Sequence, residues 1–86
     1  MSNLLKAFSN ITRIKILASL STNSENVSCL IKTCQLSQSA VSQHLKKLKN
    51  IGAIEYEVLG RDRIYKLKNQ EIGQIAQKIL KIINNH

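Results

Sequence analysis

The sequence has no proline and no tryptophan, two cysteines, three glycines and only five acidic residues among 86. Two cysteines are too few for a disulfide scaffold, which points to a reducing, cytoplasmic setting. No apolar run approaches the roughly 18 residues that a membrane span needs. The opening Met1-Ser2-Asn3-Leu4-Leu5-Lys6 has no basic segment followed by an apolar core, so it does not read as a secretory signal. Two histidines, five scattered acids, no glycine-rich phosphate loop and no nucleophile motif leave nothing to build an enzyme on. The sequence shows no cofactor motif, no metal-ligand cluster and no identifiable small-molecule ligand.

Cationic charge is abundant. Thirteen Lys and Arg against five Asp and Glu give +8. That balance argues for a polyanionic partner, nucleic acid first and an anionic membrane surface second. Residues 1–43 hold four basic and one acidic side chain, residues 44–86 nine and four, so the charge is not confined to a tail. No segment reads as a linker, and residues 1–86 are taken as one domain. A chain of this size buries only about 60–65% of its unfolded surface, so a partner subunit would help to stabilise it.

Hydrophobic spacing predicts four helices, a hairpin and a last helix, an α-α-α-α-β-β-α order that is mainly α with a small β-hairpin. Leu4, Leu5 and Phe8 mark a short first helix over about 2–9. Asn10 caps a second, with Ile11, Ile14, Leu17 and Ala18 on its apolar side. Ser19 to Asn26 reads as a polar loop. Val27, Leu30, Ile31 and Cys34 follow at i, i+3, i+4, i+7, the stripe of a third helix. Ser37 then caps a fourth, whose apolar side is Val41, Leu45 and Leu48 and which ends at Asn50 and Gly52. Two short helices joined by a tight turn make a helix-turn-helix candidate over about 27–50. Two-residue alternation over Ala53–Leu59 and Arg63–Leu67, around Gly60-Arg61-Asp62, predicts a hairpin over about 53–68. Asn69 opens the last helix, about 70–84.

With Val41, Leu45 and Leu48 assigned to the core, Gln38, Ser39, Ser42, Gln43, Lys46 and Lys49 are left outside, beside His44 and Lys47. No Asp or Glu occurs between Val27 and Ala53. Gln pairs bidentately with adenine, Ser serves base edges and Lys neutralises phosphate, so this surface suits duplex DNA. The plainer alternative is a solvated helix face. Arg61 and Arg63 around Asp62 are either a wing reaching phosphate and minor groove or an ordinary solvated turn. Arg63 and Lys66 are expected to matter less than Arg61.

The run Leu36-Ser37-Gln38-Ser39-Ala40-Val41-Ser42-Gln43-His44-Leu45-Lys46-Lys47-Leu48 resembles the recognition element of the ArsR/SmtB family of winged helix-turn-helix repressors. Asn10-Ile11-Thr12-Arg13-Ile14-Lys15-Ile16-Leu17 is similar to that family's Asp-Pro-Thr-Arg-Leu-x-Ile-Leu segment, with Ile11 in place of proline. Gly60-Arg61-Asp62-Arg63-Ile64-Tyr65-Lys66-Leu67 is similar to its wing and second strand, and the match spans about residues 4–83. The recognition run is most similar to members that regulate virulence, symbiosis or redox genes. The resemblance implies a homodimer that binds a palindromic operator and blocks transcription. It implies base contacts from Gln38, Ser39, Ser42 and Gln43, a wing role for Arg61, and a place for His44 at the family's helix-four histidine; the plainer reading of His44, preferred here, is a polar residue positioning phosphate or its neighbours. The family's Cys-x-Cys metal pair corresponds here to Asn26 and Ser28, and its last-helix metal site to little beyond Glu71 and the terminal His86. A metal sensor is therefore not expected.

Cys29 and Cys34 are either a thiol redox switch or two ordinary cysteines. Five residues on a helix place them about 140° apart in azimuth and roughly 8–9 Å apart at Cα, beyond the ~7 Å a disulfide spans. The last helix carries seven large aliphatic or Ala positions, more than the interior of so small a domain has room for. Leu4, Leu5 and Phe8 with Ile72, Ile75, Ile79, Leu80 and Ile83 are the expected two-fold interface. Internal packing of all of them is the alternative. A second functional class stays open: a winged-helix interaction module that binds RNA or an acidic protein.

Overall fold

The computed structural model describes residues 2–85; Met1 and His86, the latter weighed above as a remnant metal position, lie outside the described residues. A 3₁₀ helix, Ser2–Phe8, leads into α1 (Ile11–Leu20). Then come β1 (Glu25–Asn26), α2 (Val27–Cys34), α3 (Gln38–Ile51), β2 (Ile54–Leu59), β3 (Asp62–Leu67) and α4 (Gln70–Asn84). The first helix is thus of the tighter 3₁₀ kind, and at seven residues it outlasts the three or four usual for that form. Ser9 donates to the Lys6 carbonyl through both its amide and its hydroxyl, and the Arg13 guanidinium donates to the same oxygen at 2.9 Å.

Side-chain caps set most helix starts. Asn10 Oδ1 accepts from the Thr12 amide at 2.8 Å, Ser37 Oγ from Ala40 at 3.1 Å, and Asn69 Oδ1 from Glu71 at 2.9 Å. Ile11, where the related segment has proline, is the first residue of α1, a position whose amide has no intrahelical partner in any case. Asn26 caps α2 by accepting from the Cys29 amide. Gln35 closes α2 in the left-handed region, φ 55°, and its amide donates to the Ile31 carbonyl. Such a conformation costs a residue with a Cβ about 1–2 kcal/mol. It is accepted here because the chain must reverse within three residues to begin α3.

The core is one cluster shared by every helix. Ile16 and Leu17 of α1, Leu30 of α2, Val41, Leu45 and Leu48 of α3 and Ile54 of β2 are fully buried. Helix α1 buries a broader arc than its 3.6-residue stripe predicts. Ile16, outside that stripe, is 0% exposed, while Ile11, within it, is 44% exposed. The reason is position: α1 has α4, α2, α3 and the 3₁₀ helix packed around it.

The sheet has three strands in the order β1-β3-β2, all antiparallel. The extra strand comes from the stretch read as loop: Glu25 pairs with Tyr65 and Asn26 with Ile64. Two residues offer no alternation to detect, and only the distant β3 makes them a strand. In the hairpin Tyr56 faces Tyr65, Val58 faces Arg63 and Leu59 faces Asp62, so Gly60 and Arg61 alone form the turn. Gly60 has φ 63°. Glycine leading a two-residue hairpin turn is the type II′ arrangement.

Helix α4 lies on α1, and glycine allows their close approach. A Cβ at Gly73 would collide with the Ser21 Cβ and stand 2.6 Å from Leu67 Cδ1. Gln70 donates to the Ser21 carbonyl at 2.6 Å and Gln77 to the Ser21 hydroxyl. Of the expected interface residues, Ile72 is 7% exposed and part of the chain's own core, near Leu4 and Ile51. Leu4, Phe8, Ile79 and Leu80 are half-buried against the same core, whereas Leu5, Ile75, Ile82 and Ile83 are 77%, 45%, 64% and 46% exposed.

Candidate nucleic-acid interface

Because Val41, Leu45 and Leu48 point inward, the turn of about 100° per residue places Ser39, Gln43, Lys46 and Asn50 on the opposite, outward side of α3. Gln38, Ser42 and Lys49 flank them toward the hairpin; His44 and Lys47 flank them toward the 3₁₀ helix. Gln38, Ser39, Ser42, Gln43, Lys46, Lys47 and Lys49 are all exposed. Arg61 and Arg63 are exposed on the hairpin, which stands beside α3 as a wing.

Two grooves join helix and wing. The larger, about 440 Å³, runs between Ser42, Lys46 and Lys49 on one wall and Tyr56, Arg63 and Tyr65 on the other. The smaller, about 300 Å³, brings Arg61, Asp62 and Arg63 next to Gln38 and Ser28. The sequence-predicted set therefore divides. Gln38, Ser42, Lys46, Arg61 and Arg63 converge on the two grooves, Ser39 and Gln43 face outward, and His44 and Lys47 lie on the far flank.

His44 is half-buried there. Burial, and secondarily the nearby positive charge of Arg13, holds its pKa below the usual imidazole value. The unfolded chain thus takes up this proton at a higher pH than the folded one. Stability should fall as pH drops through the unfolded value near 6.5 and level off below the folded value. Thermal melting of the free protein between pH 7.5 and 5 should show this decline, and His44→Gln should flatten it. An equal decline in the variant would assign the effect elsewhere.

Three of the five acids sit on the wing, a feature the sequence reading passed over. Register separates Glu55 and Glu57 from Arg63, while Asp62 lines the smaller groove with Arg61 and Arg63. Lys66 Nζ lies 2.9 Å from Glu57 and 3.7 Å from Glu55 on the hairpin face turned away from Tyr56 and Arg63. Among the described residues no ion pair involves Asp62, Arg61 or Arg63.

On the groove side lies Tyr56, which the sequence reading placed on a strand and did not single out for a role. Its ring centroid is 5.3 Å from that of Tyr65, 4.8 Å from the Arg63 guanidinium carbon and 5.4 Å from Lys49 Nζ. The signal was the pairing of two tyrosines across a hairpin whose register had yet to be fixed.

A profile of the family described as "Bacterial regulatory protein, arsR family" matches residues 10–56, more than half of the chain. The chain belongs to this family. It is a family of transcriptional regulators, not of enzymes, and the matched segment runs from the α1 cap through the helix-turn-helix into the wing. The transcriptional activator HlyU of Vibrio cholerae is 38% identical over 74 residues, covering 86% of this chain and 68% of HlyU. The cadmium resistance transcriptional regulatory protein CadC homolog of Staphylococcus aureus is 32% identical over 79 residues, covering 91% of this chain and 65% of its own length. The chain thus spans about two thirds of these relatives. Among solved structures, HlyU superposes with a TM-score of 0.82 at 32% identity over 94% of this chain and 88% of HlyU. NolR of Sinorhizobium fredii gives 0.81 at 30% identity, over 94% and 81%. The fold is accordingly a winged helix-turn-helix.

The metal chemistry of some members of this family does not fit the residues present. Asn26, at the position matched to a thiolate ligand, offers an amide oxygen already engaged in capping α2. Its matched partner Ser28 brings a hydroxyl in place of a second thiolate. Among the described residues no three of His, Cys, Asp and Glu gather in one place. Cys29 is exposed and Cys34 buried, with burial pushing the Cys34 thiol above its ordinary pKa. No described helix is long and apolar enough to cross a membrane.

Proposed function

We propose that the chain is a cytoplasmic repressor that binds a palindromic operator in duplex DNA as a homodimer. Ser39, Ser42 and Gln43 of α3, with Gln38 at its start, read base edges in the major groove. Lys46, Lys47, His44 and the wing residues Arg61 and Arg63 hold the backbone, and a dimer seated on a promoter occludes it. The observation that carries this reading is the outward side of α3, exposed, free of acids, rich in Gln and Ser, and bordered by lysines and a cationic wing face. The exposed Leu5, Ile75, Ile82 and Ile83 support the dimer, together with the half-buried Leu4, Phe8, Ile79 and Leu80. A two-fold pairing through these residues sets two copies of α3 roughly 34 Å apart, one turn of DNA.

Selection of bound sequences from random duplex DNA tests the reading, with the protein first reduced and then oxidised. An inverted repeat with half-sites about one turn apart is expected, with a solution mass twice that of the chain. Absence of any enriched sequence would refute it. A preference for duplex RNA would favour the interaction-module alternative. Loss of the repeat only after oxidation would assign a switch to Cys29 and Cys34. On the selected site, Gln43→Ala should cost about 1–3 kcal/mol of specific binding and leave non-specific binding almost unchanged. Equal losses on both DNAs would remove Gln43 from the base-reading set.

A further inference from the structure

The groove between α3 and the wing holds three cations, Lys46, Lys49 and Arg63, and no acid lines it. Two of them lie close to one aromatic ring: Arg63 at 4.8 Å and Lys49 at 5.4 Å from the centre of Tyr56. The ring is itself braced by Tyr65, at 5.3 Å and tilted by 50°. The π face attracts each cation, but the cations repel one another. The wing carboxylates Glu55 and Glu57 are on the other face of the hairpin and engaged by Lys66, and Asp62, which lines the neighbouring groove with Arg63, makes no ion pair with it among the described residues. An anion seated against Lys49 and Arg63 would offset that repulsion. When a helix lies in the major groove, the sugar-phosphate backbone bordering that groove passes along the helix's flanks, and here one flank is this groove.

We propose that Tyr56 is a positioning residue for the DNA backbone: its ring holds Lys49 of α3 and Arg63 of β3 across the groove so that both close on one phosphate of the duplex. The inference rests on the DNA-binding reading above and adds to it a site that joins helix to wing. It also reverses the sequence-based ranking of Arg63 below Arg61. Tyr56 acts through the two cations rather than by a contact of its own, and its hydroxyl has no part in the clamp.

The test measures affinity of the full chain for duplex DNA across a salt series, for Tyr56→Phe, Tyr56→Leu, Lys49→Gln and Arg63→Gln. Tyr56→Phe keeps the ring and should bind within about twofold of the parent. Tyr56→Leu keeps apolar bulk but loses the π face. It should bind several-fold more weakly on specific and random DNA alike, with a log–log salt slope shallower by about one per bound protomer. Arg63→Gln and Lys49→Gln, both at exposed positions, should each reduce the slope similarly in the parent and add little to Tyr56→Leu. An unchanged slope in Arg63→Gln overturns the clamp even if Tyr56→Leu fails to fold. A loss in Tyr56→Phe equal to that in Tyr56→Leu overturns the platform role and assigns the contact to the hydroxyl. Failure of the parent chain to bind any duplex is a separate result, which sinks the DNA-binding reading and the clamp with it.

Discussion

Raising salt from 50 to 200 mM should weaken binding of the proposed dimer to duplex DNA by about 10³–10⁵-fold. The expectation follows from counting charges on one face. Each protomer presents Lys46, Lys47 and Lys49 on α3 and Arg61 and Arg63 on the wing, all exposed and none in an ion pair among the described residues. Two protomers therefore bring enough cations to neutralise roughly six to ten phosphates, and each neutralised phosphate contributes about 0.9 to the log–log slope. Lys66, bracketed by Glu55 and Glu57, is left out of that count. Anisotropy titrations at four salt concentrations would measure the slope. A slope near one or two would mean that the basic surface does not meet the backbone as a unit.

A second large effect is expected far from the DNA. Gly73→Val should destabilise the fold by about 3 kcal/mol or more, and Gly73→Ala by about 1–3 kcal/mol, in denaturant or thermal unfolding. On helix propensity alone, replacing a mid-helix glycine with alanine would stabilise by up to about 1 kcal/mol, so the two arguments differ in sign. Packing decides, because the new Cβ would stand 2.6 Å from Leu67 Cδ1 and collide with Ser21, close to its backbone. To make room, α4 must lift from α1, stretching the bonds that Gln70 and Gln77 make to Ser21. A more stable Gly73→Ala would show that this junction has slack. Since α4 also carries Ile75, Ile79, Ile82 and Ile83, a displaced helix should weaken dimerisation as well.

Much of this is legible in the sequence, for local reasons. Asn10, Ser37 and Asn69 each carry a side-chain acceptor for an orphan amide two or three residues on, so three helix starts are written in single residues. Gly52 ends α3 in the left-handed region, φ 92°. The outward side of α3 follows from the inward one by helical geometry. What could not be read depends on partners far apart in the chain. β1 exists because Glu25 meets Tyr65, forty residues on. Ile72 sits on the same apolar stripe as Ile75, and spacing alone does not say which of the two is buried in the core and which is exposed. The grouping of Lys49, Tyr56 and Arg63 requires the hairpin register, the docking of the wing on α3 and the end of α3 all at once.

The separation of charge across the wing gives the domain a handedness toward DNA. One face of the hairpin offers Arg63 beside the lysines of α3; the other shows two carboxylates against a single ammonium. The back of the hairpin thus carries a local excess of negative charge within a chain of net charge +8, while cations outnumber the single acid, Asp62, on the side shared with α3. On the proposed DNA-binding reading, such an asymmetry is expected to favour encounters that begin with α3 facing the duplex, an effect that added salt should erase.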